Sequence, residues 1–572
     1  MGSRSRSRSP VGVDLGDRND KVTPDTQKSL NVKVFTLSGE CLLHLPAALP
    51  STTIRALKDH VSEASGVSAE EQQIASASGL LHGQQVLEDL LERDGEATGS
   101  AQARDVQCIH LTAIRVRKQR AFSGGDDSCI RLWDLDSGKE LCTLQGHTAA
   151  VIGLEVDWIS HRVLSGSEDR TLRLWDVKEA VSHDGSACVY AMPSTELGSH
   201  DAAVCGVAVD WDSDCALTWS LDCTLRVWNL EAKTCAHVLN GHRASVCDVD
   251  VEWEGMRAMS WGHDHVLLLW DLRSGALLFE FGGHLEAIGG VQVGWDQGQA
   301  ISWSSGVLLL WDLRRPSSAR ELRGHEGDVA CVSLDAAWRR ALSAGRDGLL
   351  CLWRLGADGA GGSLAPLRGH EAAVSGLEVD WGAERALSWA DDGALRVWDL
   401  RACRALYALT GHADVVCSAE VDWGGRRLLS WSDDRTLRLW ELPEEVAALA
   451  TGASSCSGVS TICQELHCSR QLRGHTGPIW SAEVSWGSRR ALSWSLVDST
   501  VRLWDLDSGE AHDLSGPSVA WGGSVEVSWS RKRALGWSCS GPVLWVWDLE
   551  RGLLIHELQG HDGVVRCAAL QH

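Results

Sequence analysis

Histidine, serine and aspartate at fixed steps are the residue types of a base, a nucleophile and the group that orients the base. The first chemistry to test is therefore acyl transfer. His147, Ser165 and Asp169 form such a set, with Trp175 six residues further on. The order returns as His242, Ser260, Asp264 and Trp270, as His370, Ser388, Asp392 and Trp398, and as His412, Ser430, Asp434 and Trp440. His200 to Thr218 and His475 to Ser493 keep the same 18-residue step from imidazole to hydroxyl. A hydrolase needs its triad once, in a cleft. A set that recurs unit after unit reads as a structural chain, because a buried imidazole and a buried indole N–H must each find a partner. The set fails twice. Gly306 stands where the fifth aspartate belongs, in a turn one residue short, and Pro517 and Gly536 replace the histidine and hydroxyl of the tenth unit. Those two units are expected to be looser.

The elements that must carry these residues are short strands. In Gly411 to Leu442 the apolar runs are Val415 to Val421, Leu428 to Trp431 and Thr436 to Trp440, broken by Gly424-Gly425 and Asp433-Asp434. Such runs bounded by Gly and Asp read as strands and tight turns. One unit cannot bury its own faces and needs copies on either side. Ten tryptophans close equivalent strands: Trp133, Trp175, Trp228, Trp270, Trp311, Trp353, Trp398, Trp440, Trp504 and Trp547. Most steps between them are 41 to 45 residues, with 53 after Trp175 and 64 after Trp440. Gly-His opens eight units, at His147, His242, His284, His325, His370, His412, His475 and His561. In period and in its Gly-His and Trp-Asp marks, roughly 117–572 resembles the WD-repeat (WD40) family. The resemblance implies a mainly β fold, a β-propeller of about ten four-stranded blades. It also implies that histidine, hydroxyl, aspartate and tryptophan form one hydrogen-bonded chain within each blade.

The first unit has no Gly-His and no first strand of its own, whereas the chain ends on a surplus Gly-His and strand, Gly560 to Leu570. Closure removes exposed sheet edges. The terminal strand is therefore expected to complete the first blade and bring His561 to Ser123, Asp127 and Trp133. The competing assignment uses Ile109 to Ile114 as that blade's inner strand. One wide ring, a smaller ring with leftover blades, and a tandem fragment all remain open at this level. The insertions at Lys178 to Gly198 and Pro443 to Leu472 fall in equivalent loops, should emerge on one face, and look mobile by their Gly and Ser content. Nine further tryptophans end first strands (Trp158, Trp211, Trp253, Trp295, Trp338, Trp381, Trp423, Trp486 and Trp529). Seven more sit inside second strands, from Trp219 to Trp537. They read as packing between blades, against the alternative of a stacking platform for ligands.

Upstream the pattern changes. Residues 1–29 form a tail in which Ser3 to Pro10 is an arginine-serine run, expected to be disordered; phosphate on its serines would reverse its charge. Across 30–116, Leu30 to Gly39 alternates like a strand and turn. Ser51 or Thr52 can cap a helix carrying Ile54, Leu57, Val61 and Ala64, Gly66 ends it, and Val106 to Ile114 is a last strand. This α+β order, with Thr36 to Gly39, Thr53-Ile54, Gly66-Val67 and Gln72, resembles the ubiquitin-like β-grasp. Leu37 keeps one member of that family's apolar recognition patch, whereas Ala75 and Thr112 fall where larger aliphatics belong, and Gly79 replaces a chain-linking lysine. Gly124-Gly125 lies within a strand of the first repeat, so conjugation as a modifier is not expected.

The chain has 572 residues and a net charge of −24, from 77 acidic and 53 basic side chains. That balance argues against nucleic acid or an anionic membrane as partner. No run of 18 apolar residues is present and the N-terminus lacks a signal peptide's apolar core. Met1-Gly2 invites myristoylation, but Arg6 sits where Ser or Thr is wanted. The 19 cysteines are odd in number and contain no CxxC pair, which reads as reduced, buried thiols in the cytoplasm or nucleus, without zinc. No phosphate loop, metal spacing or nucleophile outside the repeats suggests catalysis, and no cofactor is expected. Three functions follow from the resemblances: a non-catalytic scaffold binding proteins, a substrate receptor of a cullin-type ubiquitin ligase, or a nuclear RNA-processing scaffold. The second would dock its adaptor through Trp-Asp-x-Arg, present with Arg273, Arg314 and Arg401.

Overall fold

A computed structural model describes residues 30–35, 41–48, 57, 60–61, 72–76, 79–81, 108–115, 119–181, 187–191, 194–315, 319–355, 363–448, 463–514, 523–538 and 540–571. The chain divides into two compact units, Met1–Lys118 and Gln119–His572. The first holds a five-stranded sheet: β1 Leu30–Phe35, β2 Cys41–Ala48, β3 Gln72–Ser76, β4 Gly79–Leu81 and β5 Cys108–Arg115. Their order is β2-β1-β5-β3-β4, with β1 parallel to β5 and the other pairs antiparallel. Val32, Val34, Ile74 and Leu111 are buried in it, as are Leu57 and Val61, one helical turn apart and in helical conformation. Leu37, Ser51, Thr52, Ile54, Ala64, Gly66 and the tail 1–29 lie outside the described residues.

The second unit is a ring of ten antiparallel sheets built on four strands each. Blade eight shows the pattern: Val416–Asp422, Arg427–Ser432 and Thr436–Glu441 follow one another, and Arg470–Arg473 closes the outer edge. The second strand is the most buried, Leu428 to Ser432 having almost no exposure, because it is covered by a neighbouring blade on each face. Ten apolar clusters each join two successive blades. The last closes the circle: Leu535, Leu544 and Val546 of blade ten pack with Ala121, Trp133 and Val565 of blade one. With ten blades and ten shared cores, the ring has no open seam among the described residues.

Blade one takes its inner strand from the chain end. Val565–Leu570 pairs antiparallel with Arg120–Gly125, which continues to Cys129–Asp134 and Lys139–Gln145. The alternative inner strand is engaged elsewhere, in β5 beside β1. Gly124 and Gly125 sit inside this blade.

The second-strand tryptophans explain much of the sequence around them. Trp219, Trp303 and Trp389 lie opposite Gly206, Gly290 and Gly376 of their own first strands, and Trp431, Trp494 and Trp537 lie opposite Ser418, Ser481 and Ser524. A Cβ on Gly376 would stand 2.3 Å from the Trp389 ring. The small partner lets the indole lie over the inner strand and enter the seam with the following blade, as Trp389 does among Val416, Leu428 and Trp440.

Parts of the two long insertions form regular structure. In blade two the third strand runs on, Thr171–Val181, into a hairpin with Ala187–Ala191. In blade eight, Glu444–Ala448 (α1) buries Val446, whose carbonyl accepts from Arg385 at 2.8 Å, and Gln464–Leu466 adds to blade seven in parallel with Arg404–Leu409. The cysteines were expected to be buried; among those described only Cys215 and Cys351 are, and Cys205 and Cys247 are exposed. Both exposed thiols start first strands, where alternate side chains leave the sheet at its rim.

Candidate functional sites: blade tetrads, seams and rims

Within blade two, the imidazole of His147 bridges two groups. Its Nε2 lies 2.8 Å from Ser165 Oγ and its Nδ1 2.8 Å from Asp169, while Trp175 Nε1–H donates to Ser165 Oγ at 2.8 Å. The polarity of the chain follows. The carboxylate accepts Nδ1–H, so Nε2 accepts the serine O–H, and the serine oxygen accepts the indole N–H. His242, Ser260, Asp264 and Trp270 repeat it with contacts of 2.8, 2.9 and 2.8 Å. His370, Ser388, Asp392 and Trp398 do so with 2.8, 3.0 and 2.8 Å, and His412, Ser430, Asp434 and Trp440 with 2.8, 2.9 and 2.9 Å. In blade one, His561 lies 2.8 Å from Ser123 and 2.9 Å from Asp127, and Trp133 donates to Ser123 at 2.8 Å.

The electrostatics suit a neutral imidazole. Burial lowers the pKa of His147, His242 and His412, and hydrogen bonding to the aspartate offsets this only in part. Burial would raise Asp169, but donors from Thr171, Thr148 and His147 outweigh it and hold the carboxyl down at about 2. The serine is saturated by its two partners and buried, so it is placed to hold the blade together, with no open side for a substrate. Sequence reasoning missed a fifth member. Thr171, Thr224, Thr436 and Thr500 each donate a hydroxyl to their aspartate at 2.7–2.8 Å, a link legible in the spacing Asp-x-Thr.

The two irregular blades substitute differently. Blade five keeps His284 to Ser302 at 2.7 Å and Trp311 to Ser302 at 2.8 Å, without a carboxylate. In blade ten Trp547 donates to the Leu514 carbonyl at 2.6 Å, replacing the missing serine; Pro517 lies outside the described residues.

Matches to the family described as "WD domain, G-beta repeat" fall on 138–176, 316–354, 403–441 and 466–505, the stretches that supply these tetrads in four of the blades. The chain carries WD40 repeats. It is 26% identical over 124 residues to Mitochondrial division protein 1 of Kluyveromyces lactis, a match covering 21% of this chain and 17% of that protein. Among solved structures it is similar to the computationally designed Ika8 protein, at 23% identity and a TM-score of 0.36, over 57% of this chain and 94% of the other. It is also similar to the C-terminal WD40 domain of Sif2, at 17% identity and a TM-score of 0.38, over 58% and 89%.

Between blades of the WD40 ring a second device recurs. The tryptophan seven residues before the tetrad hydroxyl is covered by an arginine of the preceding blade: Arg162 over Trp211 at 5.0 Å, Arg257 over Trp295 at 5.2 Å, Arg340 over Trp381 at 5.3 Å, Arg385 over Trp423 at 4.5 Å and Arg427 over Trp486 at 5.5 Å. Each arginine is held by the acid ending its own first strand, as Arg385 is by Asp380 at 2.9 Å. The indole N–H reaches back as well, Trp295 to Asp250 at 2.8 Å and Trp381 to Ser333 at 3.2 Å. These tryptophans are engaged in seams, and no open stacking surface is formed by them there.

On the rims, Arg273, Arg314 and Arg401 are exposed in the turns after third strands, Arg401 paired with Glu384 at 2.7 Å. On the face carrying the histidine loops, Trp480 is 66% exposed and Val497 73%, both on blade nine, and Leu285 is 91% exposed on blade five. Beside blade nine, the same loops of blades six to eight expose Glu326, Asp328, Glu371, Asp391 and Asp414. Among the described residues no group of three or more His, Cys, Asp or Glu is placed to hold a metal ion, and no helix is long and apolar enough to cross a membrane.

Two expected results arise here. Asp434→Ala strips His412 of its acceptor and should lower stability by about 1–3 kcal/mol, the cost of an unpaired buried polar group, read from denaturant unfolding; an unchanged midpoint would mean the chain contributes nothing. The second concerns acid. His284 lacks a carboxylate, and burial, aided by the nearby His265, pushes its pKa from 6.5 to about 4. The unfolded chain therefore takes up the proton first. The contribution of a neutral His284 is fully present above pH 6.5 and is lost as pH falls toward 4. His284→Gln should show a shallower fall in melting temperature across that window than the unaltered protein, and an equal slope would contradict this assignment.

Proposed function

We propose that this WD40 propeller is a non-catalytic protein-interaction scaffold of the cytoplasm or nucleus that receives its partner on the face bearing the histidine loops. The observation carrying this is the exposed pair Trp480 and Val497 on blade nine. Large apolar side chains held in open water on turns are characteristic of binding anchors. The tetrads lie beneath this face and fix its loops, as the Asp169 carboxylate does by accepting from Thr148 N–H at 2.9 Å. Affinity purification of the full chain alongside a Trp480→Asp, Val497→Asp variant tests the reading. Most captured protein should be lost from the variant while its melting temperature stays within about 2 °C, as expected for surface changes. Equal capture would refute it.

The first unit is read as a built-in ubiquitin-like module. The β2-β1-β5-β3-β4 order with parallel β1 and β5 supports this.

Docking of a ligase adaptor is a second reading, supported by the exposure of Arg273, Arg314 and Arg401 on one class of turn. Substituting each by Ala should abolish adaptor co-purification with the fold intact; absence of an adaptor from the unaltered protein would end this reading.

A further inference from the structure

Eight blades place an indole seven residues before the hydroxyl position, at Trp158, Trp211, Trp253, Trp295, Trp381, Trp423, Trp486 and Trp529. Blade six has Ala336 there, and its tryptophan comes two residues later. The turn is displaced to match. The positive φ that falls four residues before the serine in blades seven and eight, on Glu384 and Arg426, falls five before it in blade six, on Trp338.

The preceding blade is altered in the same place. Gly294 and Gln299 occupy the register pair that is Glu252 and Arg257 in blade four and Asp380 and Arg385 in blade seven. The acid and the arginine that would cover an indole are both gone. Trp338 instead leans on Gly294, where a Cβ would stand 2.4 Å from its ring.

The indole slot is thereby vacated, and a pocket of about 380 Å³, broadly open to solvent, lies at this position, lined by Ala336, Trp338, Gln292, Val332, Ser333 and Asp250. The volume falls in the range of small-ligand sites. Its chemistry is set by the neighbouring seams, where the ring in this slot donates its N–H to the inner-strand side chain of the preceding blade. Here that side chain is Gln292, whose Nε2 donates to the Val332 carbonyl at 3.3 Å, leaving the amide oxygen as the acceptor. We infer that the seam between blades five and six is a small-molecule site for a planar, two-ring heteroaromatic compound bearing an N–H donor. The rings would lie against Val332 and Ala336, and the N–H would be directed to Gln292.

Indole itself is the probe, titrated into the full chain by calorimetry. Saturable binding with a dissociation constant of about 0.1–1 mM is expected for so small a ligand. Indene, the same shape without the N–H, should bind about tenfold more weakly, the loss of one buried hydrogen bond. Ala336→Trp, which returns the side chain used by the other blades, should abolish indole binding. Because that variant must also refit its turn, Gln292→Leu is the second: it should bring indole and indene to equal affinity. No saturable binding, or unchanged binding in Ala336→Trp, overturns the site. A short tryptophan-containing peptide binding more tightly than indole would assign the slot to a partner's side chain and overturn the small-molecule proposal.

Discussion

Removal of Gly560–His572 should destabilise the entire ring, by at least about 5 kcal/mol, and drive the protein into aggregates. The segment supplies the inner strand of blade one, and Val565 and Leu570 are buried in it, each contributing about 1.5–3 kcal/mol. Its loss also leaves Ser123, Asp127 and Trp133 without His561, removing the 2.8 Å and 2.9 Å contacts at the centre of that blade's hydrogen-bonded chain. The strand Arg120–Gly125 would then present an unpaired edge, and the apolar faces of blades one and ten would meet water. Light scattering after size-exclusion chromatography and a melting curve report both effects. A truncated protein that stays monomeric and melts normally would show that the ring does not depend on its last strand.

Gly376→Val should be nearly as damaging, although the residue carries no side chain and has no unusual φ. A β-carbon there collides with Trp389 at 2.3 Å, and that indole is fixed in the core shared by blades seven and eight. The interior is close-packed, so either the ring leaves the seam or the first strand moves away; a cost of about 3 kcal/mol or more is expected. Combining it with Trp389→Ala should recover part of the loss, because the double variant removes the collision that the single one creates. Chemical denaturation of the four proteins completes the cycle. Additive losses would show that glycine and indole do not oppose one another.

What was legible in the sequence was mostly what lies within one repeat. His412, Ser430, Asp434 and Trp440 span less than 30 residues, so their spacing carries the hydrogen-bonded chain directly. The first blade was legible for a different reason: a strand was missing at one end of the ring and surplus at the other, and pairing them leaves no open edge. Contacts between repeats were not legible. Arg385 covers Trp423 from the next blade, and nothing in either repeat alone says that a guanidinium and an indole 38 positions apart will stack. Trp338 illustrates the limit. It closes a similar apolar run to the other first-strand tryptophans, yet it stands five and not seven residues before its serine, and the displaced turn shows what that spacing does: the ring leaves the slot. The parallel strand Gln464–Leu466 was also hidden, since it joins the preceding blade and not its own.

Closure of the ten blades by the two ends of the propeller segment is tested most directly by a covalent link across blade one. Asp126 and Arg566 form an exposed ion pair at 2.6 Å although 440 positions apart. In the double variant Asp126→Cys, Arg566→Cys, mild oxidation should produce an intramolecular disulfide in the monomer. Non-reducing peptide mapping by mass spectrometry would find the two segments joined, and the melting temperature should rise. A monomer with both thiols still free, or a link formed only between molecules, would contradict closure of the ring.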